Sequence, residues 1–262
     1  MNLKNKVAVI TGAGRLNGVG AATARLLASH GVNLVLNCIK SREQAEQIIA
    51  ECKALGVLAE LFVGDLTKEK TCHDLCVFTQ EKFGRVDLII NCIGATKSVP
   101  YENLEKLSAE DFTRLLAINV TAPYLIAQAF QHLLKISGDG VLINISSAAG
   151  ITGKGSSIAY AAAKGAENTL TLALAQALSP EIRVNAICPS FIDSSWWEGV
   201  FEGREEKYQG LIKTMQDNNL LGRVLKPIDI AQMVLAIIQN PCMTGELIRL
   251  DSGAHLGKAN PR

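Results

Sequence analysis

Short apolar runs alternate with longer amphipathic segments along the whole of this 262-residue chain, and that alternation limits the fold more than any other feature. Strands are predicted over 7–10, 33–37, 59–63, 87–91, 141–145, 182–187 and 247–250. Helices are predicted over 21–30, from Ser41 to near Gly56, over 67–83, 111–136 and 159–178, and from Pro227 to near Gln239. Gly31 is placed to close the first helix. Ser41 with Gln44, and Ser108 with Asp111, have the spacing of capping boxes. Strands joined through helices need right-handed crossovers and give a parallel sheet covered on both faces. The expectation is one doubly wound α/β domain spanning 1–262, with about seven parallel strands, and the 48% hydrophobic content is enough for its core. Such sheets bind ligands at the carboxyl ends of their strands.

A net charge of +1 gives no reason to expect nucleic acid or an anionic membrane as a partner. The N-terminal run MNLKNKVAVI enters a strand directly, and its apolar part is too short for a signal core or a membrane span, so a cytoplasmic protein is expected. Seven cysteines stand at irregular spacings without a C-x-x-C, which fits buried thiols in a reducing compartment. Cys72, His73 and Cys76 form a poor ligand set, so no metal is expected.

Thr11-Gly12-Ala13-Gly14-Arg15-Leu16-Asn17-Gly18-Val19-Gly20 lies between the first strand and the first helix. Glycines in that position let backbone amides at a helix N-terminus approach a pyrophosphate. The end of the second strand bears on which dinucleotide is bound. NAD sites usually put an acid there for the ribose 2′-OH; here the run is Asn37-Cys38-Ile39-Lys40-Ser41-Arg42, and Arg15 adds a third cation. Arg and Lys pair with a 2′-phosphate, so NADP is favoured, with NAD possible. Asp65 is placed either to accept from an adenine amino group or to serve as a turn residue.

Tyr160 and Lys164 share one helix face at i and i+4, and Ser147 precedes the tyrosine by thirteen residues. An ammonium beside a phenol favours the phenolate and makes a general acid/base usable near neutral pH. Ser147 adds a hydroxyl for the same substrate oxygen.

The glycine loop, Asp65-Leu66, Asn91-x-x-Gly94, Asn119, Asn144-Ile145-Ser146-Ser147, Tyr160-x-x-x-Lys164, Asn185, Pro189 and Asp251-x-Gly253 follow one another in order. In these motifs the chain resembles the short-chain dehydrogenase/reductase family over essentially its full length. The resemblance implies a Rossmann-like fold, with Tyr160 as general acid/base and Lys164 lowering its pKa and binding the nicotinamide ribose. Ser147 rather than Ser146 would orient the substrate oxygen, and Asn119 would hold a water linking Lys164 to solvent, although it could instead satisfy a backbone carbonyl within its helix. Cofactor contacts are then expected at Gly12, Gly14, Arg15, Asn17, Gly18, Val19, Asn37, Lys40, Ser41, Asp65, Leu66, Asn91, Gly94, Pro189, the backbone near Ile192, and Ser194, besides Tyr160 and Lys164. Five residues separate Thr11-Gly12 from Gly18-Val19-Gly20, two more than the family pattern, and Cys92-Ile93, Ser190 and Ser252 also depart from it.

The implied activity is hydride transfer between NADP(H) and a carbonyl or secondary alcohol. Two alternatives are a 3-oxoacyl-[acyl-carrier-protein] reductase, against which stands the absence of basic residues in 137–139 and 179–181, and a non-catalytic nucleotide-binding regulatory protein. Segment 190–222 carries Phe191, Trp196, Trp197, Phe201 and Tyr208, and reads either as an apolar substrate lid or as aromatic packing of that segment. Small or apolar outer positions, Ala161, Ala162, Ala166, Leu170 and Ala173, together with the family's habit, lead to an expected homotetramer.

Overall fold

A computed structural model describes residues 2–257. Seven strands, β1 Val7–Thr11, β2 Asn33–Cys38, β3 Ala59–Val63, β4 Leu88–Asn91, β5 Gly140–Ile145, β6 Ile182–Pro189 and β7 Leu247–Leu250, form one sheet. All neighbours are parallel, in the order β3-β2-β1-β4-β5-β6-β7. The order reverses between β1 and β4, and this switch point opens a crevice at the strand C-termini. The helices are α1 Val19–Ser29, α2 Arg42–Ala54, α3 Glu69–Phe83, α4 Ala109–Leu116, α5 Ala122–Ile136, α6 Ala149–Thr152, α7 Ile158–Leu178, α8 Glu198–Phe201, α9 Glu205–Asn218 and α10 Pro227–Gln239.

Alternate strand residues feed two separate cores, as the two-residue period requires. Ala8, Ile10, Leu34, Leu36, Leu88, Ile90, Val141 and Ile143 face one side, with α1, α2 and α10. Val9, Val35, Ile89, Leu142 and Val184 face the other, where Leu75 of α3, Phe130 and Leu134 of α5 and Leu178 of α7 cover them. Burying each of the Val, Leu, Ile and Phe side chains among them contributes about 1.5–3 kcal/mol. Asp87 pins the sheet at the opposite end from the crevice. Its carboxylate accepts from Lys6 Nζ at 2.8 Å, Val7 N at 3.0 Å and both Arg85 Nε and Nη2.

Two local expectations fail. Ser108 and Asp111 form the reciprocal cap, but Ser41 makes no side-chain cap bond to α2. Gln44 reaches out of the helix instead, where its Oε1 accepts from Leu16 N at 3.1 Å. The expected continuous helix 111–136 is interrupted by a π-helical stretch over Ala117–Thr121 that joins α4 to α5. That stretch, AINVT, contains no Gly or Pro to mark a break in the helix, so the pattern alone does not reveal it.

Candidate active site

The glycine loop leaves β1 at Gly12, whose φ is +65° and whose Cβ, if present, would lie 2.8 Å from the Cys92 carbonyl oxygen. Only glycine fits so close to the neighbouring strand end. The α1 N-terminus at Gly18 and Val19 has no side-chain cap and no acid in its first turn. Its amides are therefore open to an anion, as a pyrophosphate needs. The two extra loop residues are held from outside: Leu16 N donates to Gln44, Leu16 O accepts from Arg25 Nη1 at 2.9 Å, and Asn17 O accepts from Ser195 N at 3.0 Å.

Several of the residues expected at the cofactor also make contacts within the protein. Arg15 Nη1 donates to the Ser195 carbonyl, and its guanidinium lies 3.8 Å from Glu198, so it serves the segment after β6 rather than the end of β2. Asn37 is buried, its amide donating to the carbonyls of Cys38, Phe62 and Gly64, which braces β2 against β3. A β-strand side chain that saturates three carbonyls has no donor left for a ligand. Asn91 is likewise enclosed. It accepts from Thr11 Oγ1 and donates to Asn144 Oδ1, and Asn144 donates in turn to Thr171 Oγ1. This buried polar row crosses β1, β4, β5 and α7. Asp65 Oδ1 makes the turn contact, accepting from Thr67 N and Oγ1. The Leu66 side chain is fully buried. At the end of β2, Lys40 is exposed, and Arg42 pairs with Glu46 one turn along α2 at 2.8 Å. Ser41 lies beside the loop, with its Cβ 3.2 Å from where a Cβ on Gly14 would stand.

Across the crevice, β5 delivers two serines with opposite fates. Ser146 is buried and donates to Asn168 Oδ1 at 2.6 Å. Ser147 accepts from Ala149 N at 3.1 Å, which leaves its proton free to donate. Tyr160, half-buried, stands in the first turn of α7, and Lys164 follows one turn later, 2% exposed. Lys164 Nζ donates to the Ile145 carbonyl at 3.0 Å and to Glu167 Oε2 at 2.7 Å. Burial works against the Lys164 charge, but the Glu167 carboxylate, and after it Tyr160, hold the ammonium above its ordinary pKa. Burial pushes the Glu167 carboxyl up and Lys164 pulls it back. These two directions favour different protonation states of the pair. The ionised pair is the better description, because a 2.7 Å contact is that of a charge-assisted bond. Glu167 was not singled out in the sequence, although it sits three residues after Lys164 on the same helix face.

Asn119 lies in the π stretch, fully buried. Its Nδ2 donates to Ala95 O at 3.0 Å and to Leu115 O at 2.8 Å, and its Oδ1 accepts from Ala95 N. Both amide protons are thus committed to backbone carbonyls, one of them within its own helix.

Above the crevice, Pro189 ends β6 and accepts from Ala148 N. Ile192 O accepts from Trp197 Nε1 at 3.0 Å, and Ser194 is buried and accepts from Trp196 N. Phe191 stacks on Trp197 with ring centres 5.2 Å apart, and Phe201 and Tyr208 join the same cluster. Trp196 points the other way. Its Cη2 lies 3.4 Å from where a Cβ on Gly94 would be, against the strand end next to Asn119. The aromatic segment therefore packs chiefly upon itself, and one indole faces the crevice. Away from the site, Cys72 donates to Leu66 O and Cys76 to Ala129 O. Among the described residues, no helix is long and apolar enough to cross a membrane.

The family described as enoyl-(acyl carrier protein) reductase matches residues 12–255. A Streptomyces violaceoruber protein named as ketoacyl reductase 2 of granaticin polyketide synthase is 31% identical, over 95% of this chain and 96% of its own. The 3alpha-hydroxysteroid dehydrogenase of Mediterraneibacter gnavus is 32% identical, over 97% of this chain and 98% of its own. A Burkholderia xenovorans crystal structure described as a short-chain dehydrogenase/reductase superposes with a TM-score of 0.89 at 33% identity, covering 96% of this chain and 98% of that one. The fold, the order of the motifs and these likenesses agree: the chain belongs to the short-chain dehydrogenase/reductase family of oxidoreductases.

Proposed function

We propose that this protein transfers a hydride between NADP(H) and a carbonyl or secondary alcohol, with Tyr160 as the general acid/base. The observation that carries the reading is the buried Lys164 ammonium, fixed one turn after Tyr160 and at the end of the strand that presents Ser147 with a free proton. In reduction, Ser147 donates a hydrogen bond to the substrate oxygen and Tyr160 delivers a proton to it as alkoxide charge develops. Lys164 keeps positive charge beside the phenol throughout. Donors fixed before the reaction lower the barrier because they need no reorganisation when charge appears. The nicotinamide supplies or takes up the hydride when it is bound.

The uncapped α1 N-terminus and the Gly12 cradle fit a dinucleotide pyrophosphate. For the adenosine ribose, Lys40, Ser41 and Arg42 stand at the end of β2 without a nearby acid at its tip, which favours a 2′-phosphate. Arg15 is left out of that set because it is engaged by Ser195 and Glu198. Segment 190–222 is assigned the covering role, with Trp196 its contact to the crevice. Both amide protons of Asn119 are engaged by backbone carbonyls, so a proton link from Lys164 towards solvent would run through acceptor groups of the π stretch. Exposed Leu116, Tyr124 and Leu172 on the outer helices support a homotetramer; Ala161, by contrast, is buried within the protomer and takes no part. A monomeric mass by light scattering would refute that assembly.

The deciding experiment is NADPH-dependent turnover of a panel of ketones, with Tyr160→Phe beside the wild type. Loss of the acid/base is expected to lower kcat by about 10²–10⁴-fold while NADPH still binds. Binding of NADPH without turnover of any ketone would instead support the regulatory reading. Equal affinity for NADH and NADPH would overturn the role of Lys40 and Arg42.

A further inference from the structure

Beneath the proposed acid/base lies a carboxylate that the hydride-transfer mechanism does not use. Glu167 is 0% exposed, sits one turn beyond Lys164 on α7, and places Oε2 2.7 Å from Nζ. The same nitrogen donates to the Ile145 carbonyl, so two of its three protons are held within the protein and one is left for the crevice. The other carboxylate oxygen, Oε1, is buried and has no hydrogen-bond partner among the described residues. A carboxylate enclosed in this way is a costly means of filling space, and an apolar side chain of similar volume would pack at least as well. Its position is explained if the charge itself is what the site requires.

Resting on the hydride-transfer reading above, we propose that Glu167 is a positioning residue for Lys164, whose carboxylate holds the buried ammonium in place and in its charged form beneath Tyr160. The titratable groups around the ammonium are few. Glu167 and Tyr160 face it from α7, Cys188 from β6 and Cys92 from just beyond β4. Burial pushes the Cys92 thiol up to about 12 and the Cys188 thiol up to about 11, so neither supplies an anion at neutral pH. Glu167 is therefore the counter-charge for Lys164. The carboxylate keeps Lys164 protonated against burial, which preserves activity on the alkaline side.

Replacing Glu167 by Gln removes the charge and nearly preserves the shape. The alkaline limb of the pH profile of kcat/KM is then expected to move to lower pH by about one unit, as for the loss of an opposite charge at this range. Glu167→Asp keeps the charge but shortens its reach; its alkaline limb should stay near the wild-type value while kcat falls, because Nζ is drawn back from the crevice. A uniform loss of rate in E167Q with an unmoved alkaline limb would overturn the proposal, since a purely structural role gives that result. If E167Q does not fold, an E167D variant equal to wild type in kcat and KM would overturn it too. The Lys164 ammonium can also be titrated directly by NMR with ¹³C-labelled lysine, its signal assigned by Lys164→Arg. Its pKa should fall in E167Q, and an unchanged value would refute the inference. That measurement needs no turnover, so it separates failure of this proposal from failure of the hydride-transfer reading, which Tyr160→Phe tests.

Discussion

Gly150 and Gly165 face one another where α6 crosses α7, and replacing each by alanine should have opposite effects. A Cβ on Gly150 would lie 2.5 Å from both the carbonyl carbon and oxygen of Lys164, and 2.7 Å from Gly165 N. All three are backbone atoms in the middle of a 21-residue helix and cannot turn aside. Relief requires α6 to move away from α7 by about 1 Å, which is the shortfall from van der Waals contact. Overpacking of this kind costs about 1–3 kcal/mol. For a chain of this size, roughly 2–4 °C of Tm is lost per kcal/mol, so a fall of about 4–8 °C is expected for a mid-range cost. The movement also separates Ser147, which leads into α6, from Tyr160 and Lys164 on α7. A 1 Å misplacement of groups that must act together can reduce kcat by about 10²-fold. On Gly165 a Cβ would meet only the Gly150 carbonyl oxygen, at 3.5 Å, an ordinary contact. There, alanine should stabilise by about 0.4–1 kcal/mol, because it removes freedom from the unfolded chain without strain in the folded one. Thermal unfolding of both variants and turnover of the reductase assay measure the two effects. If Gly150→Ala melts with the wild type, or if both variants shift the same way, the close approach of α6 to α7 is not what holds the serine against the tyrosine.

Two further perturbations test the scaffold. Asp87 is enclosed: burial alone would push its carboxyl up, but Arg85, Lys6 and the Val7 amide outweigh that and hold it below the usual carboxylate range. A depressed folded-state pKa stabilises the protein above the unfolded value near ~3.9 and loses that contribution as pH falls through the folded one. Denaturant titrations should therefore show a stability loss at acid pH that Asp87→Asn lacks, with the variant less stable at neutral pH by about 1–3 kcal/mol; identical pH dependence would refute this assignment. Helix caps give the second test: Ser108→Ala should cost about 1 kcal/mol, since its hydroxyl accepts from Asp111 N, whereas Ser41→Ala should change stability by less than about 0.5 kcal/mol, and equal losses in chemical denaturation would contradict the structure.

Much of the site was legible because its signals are local. Tyr160 and Lys164 announce themselves by helical spacing, and the glycine loop by residues that tolerate a strand end at 2.8 Å; the choice of Ser147 over Ser146 is what the family resemblance implies. In the structure the two serines differ: Ser146 spends its proton on Asn168, and Ser147 does not. What was not legible depends on partners far apart in sequence. Asn37 looks like a ligand residue at the tip of a strand until Phe62 and Gly64 are seen to claim its amide. Arg15 looks like a phosphate clamp until Ser195, 180 residues later, is brought beside it.

The sequence by itself determined the layers and the motif positions. Strand residues alternating between two cores, and helices with one apolar face, follow from burial, which acts on each residue according to its own hydrophobicity. Only the tertiary structure decided which polar groups remain free at the crevice. A hydrogen bond is short and directional, so whether Asn91, Asn119 or Arg15 can meet a ligand depends on atoms brought together by the crossovers and not on the residue itself. The same reason hid Glu167, which reads as one more acid on a helix until the sheet closes over it and leaves Lys164 as its partner.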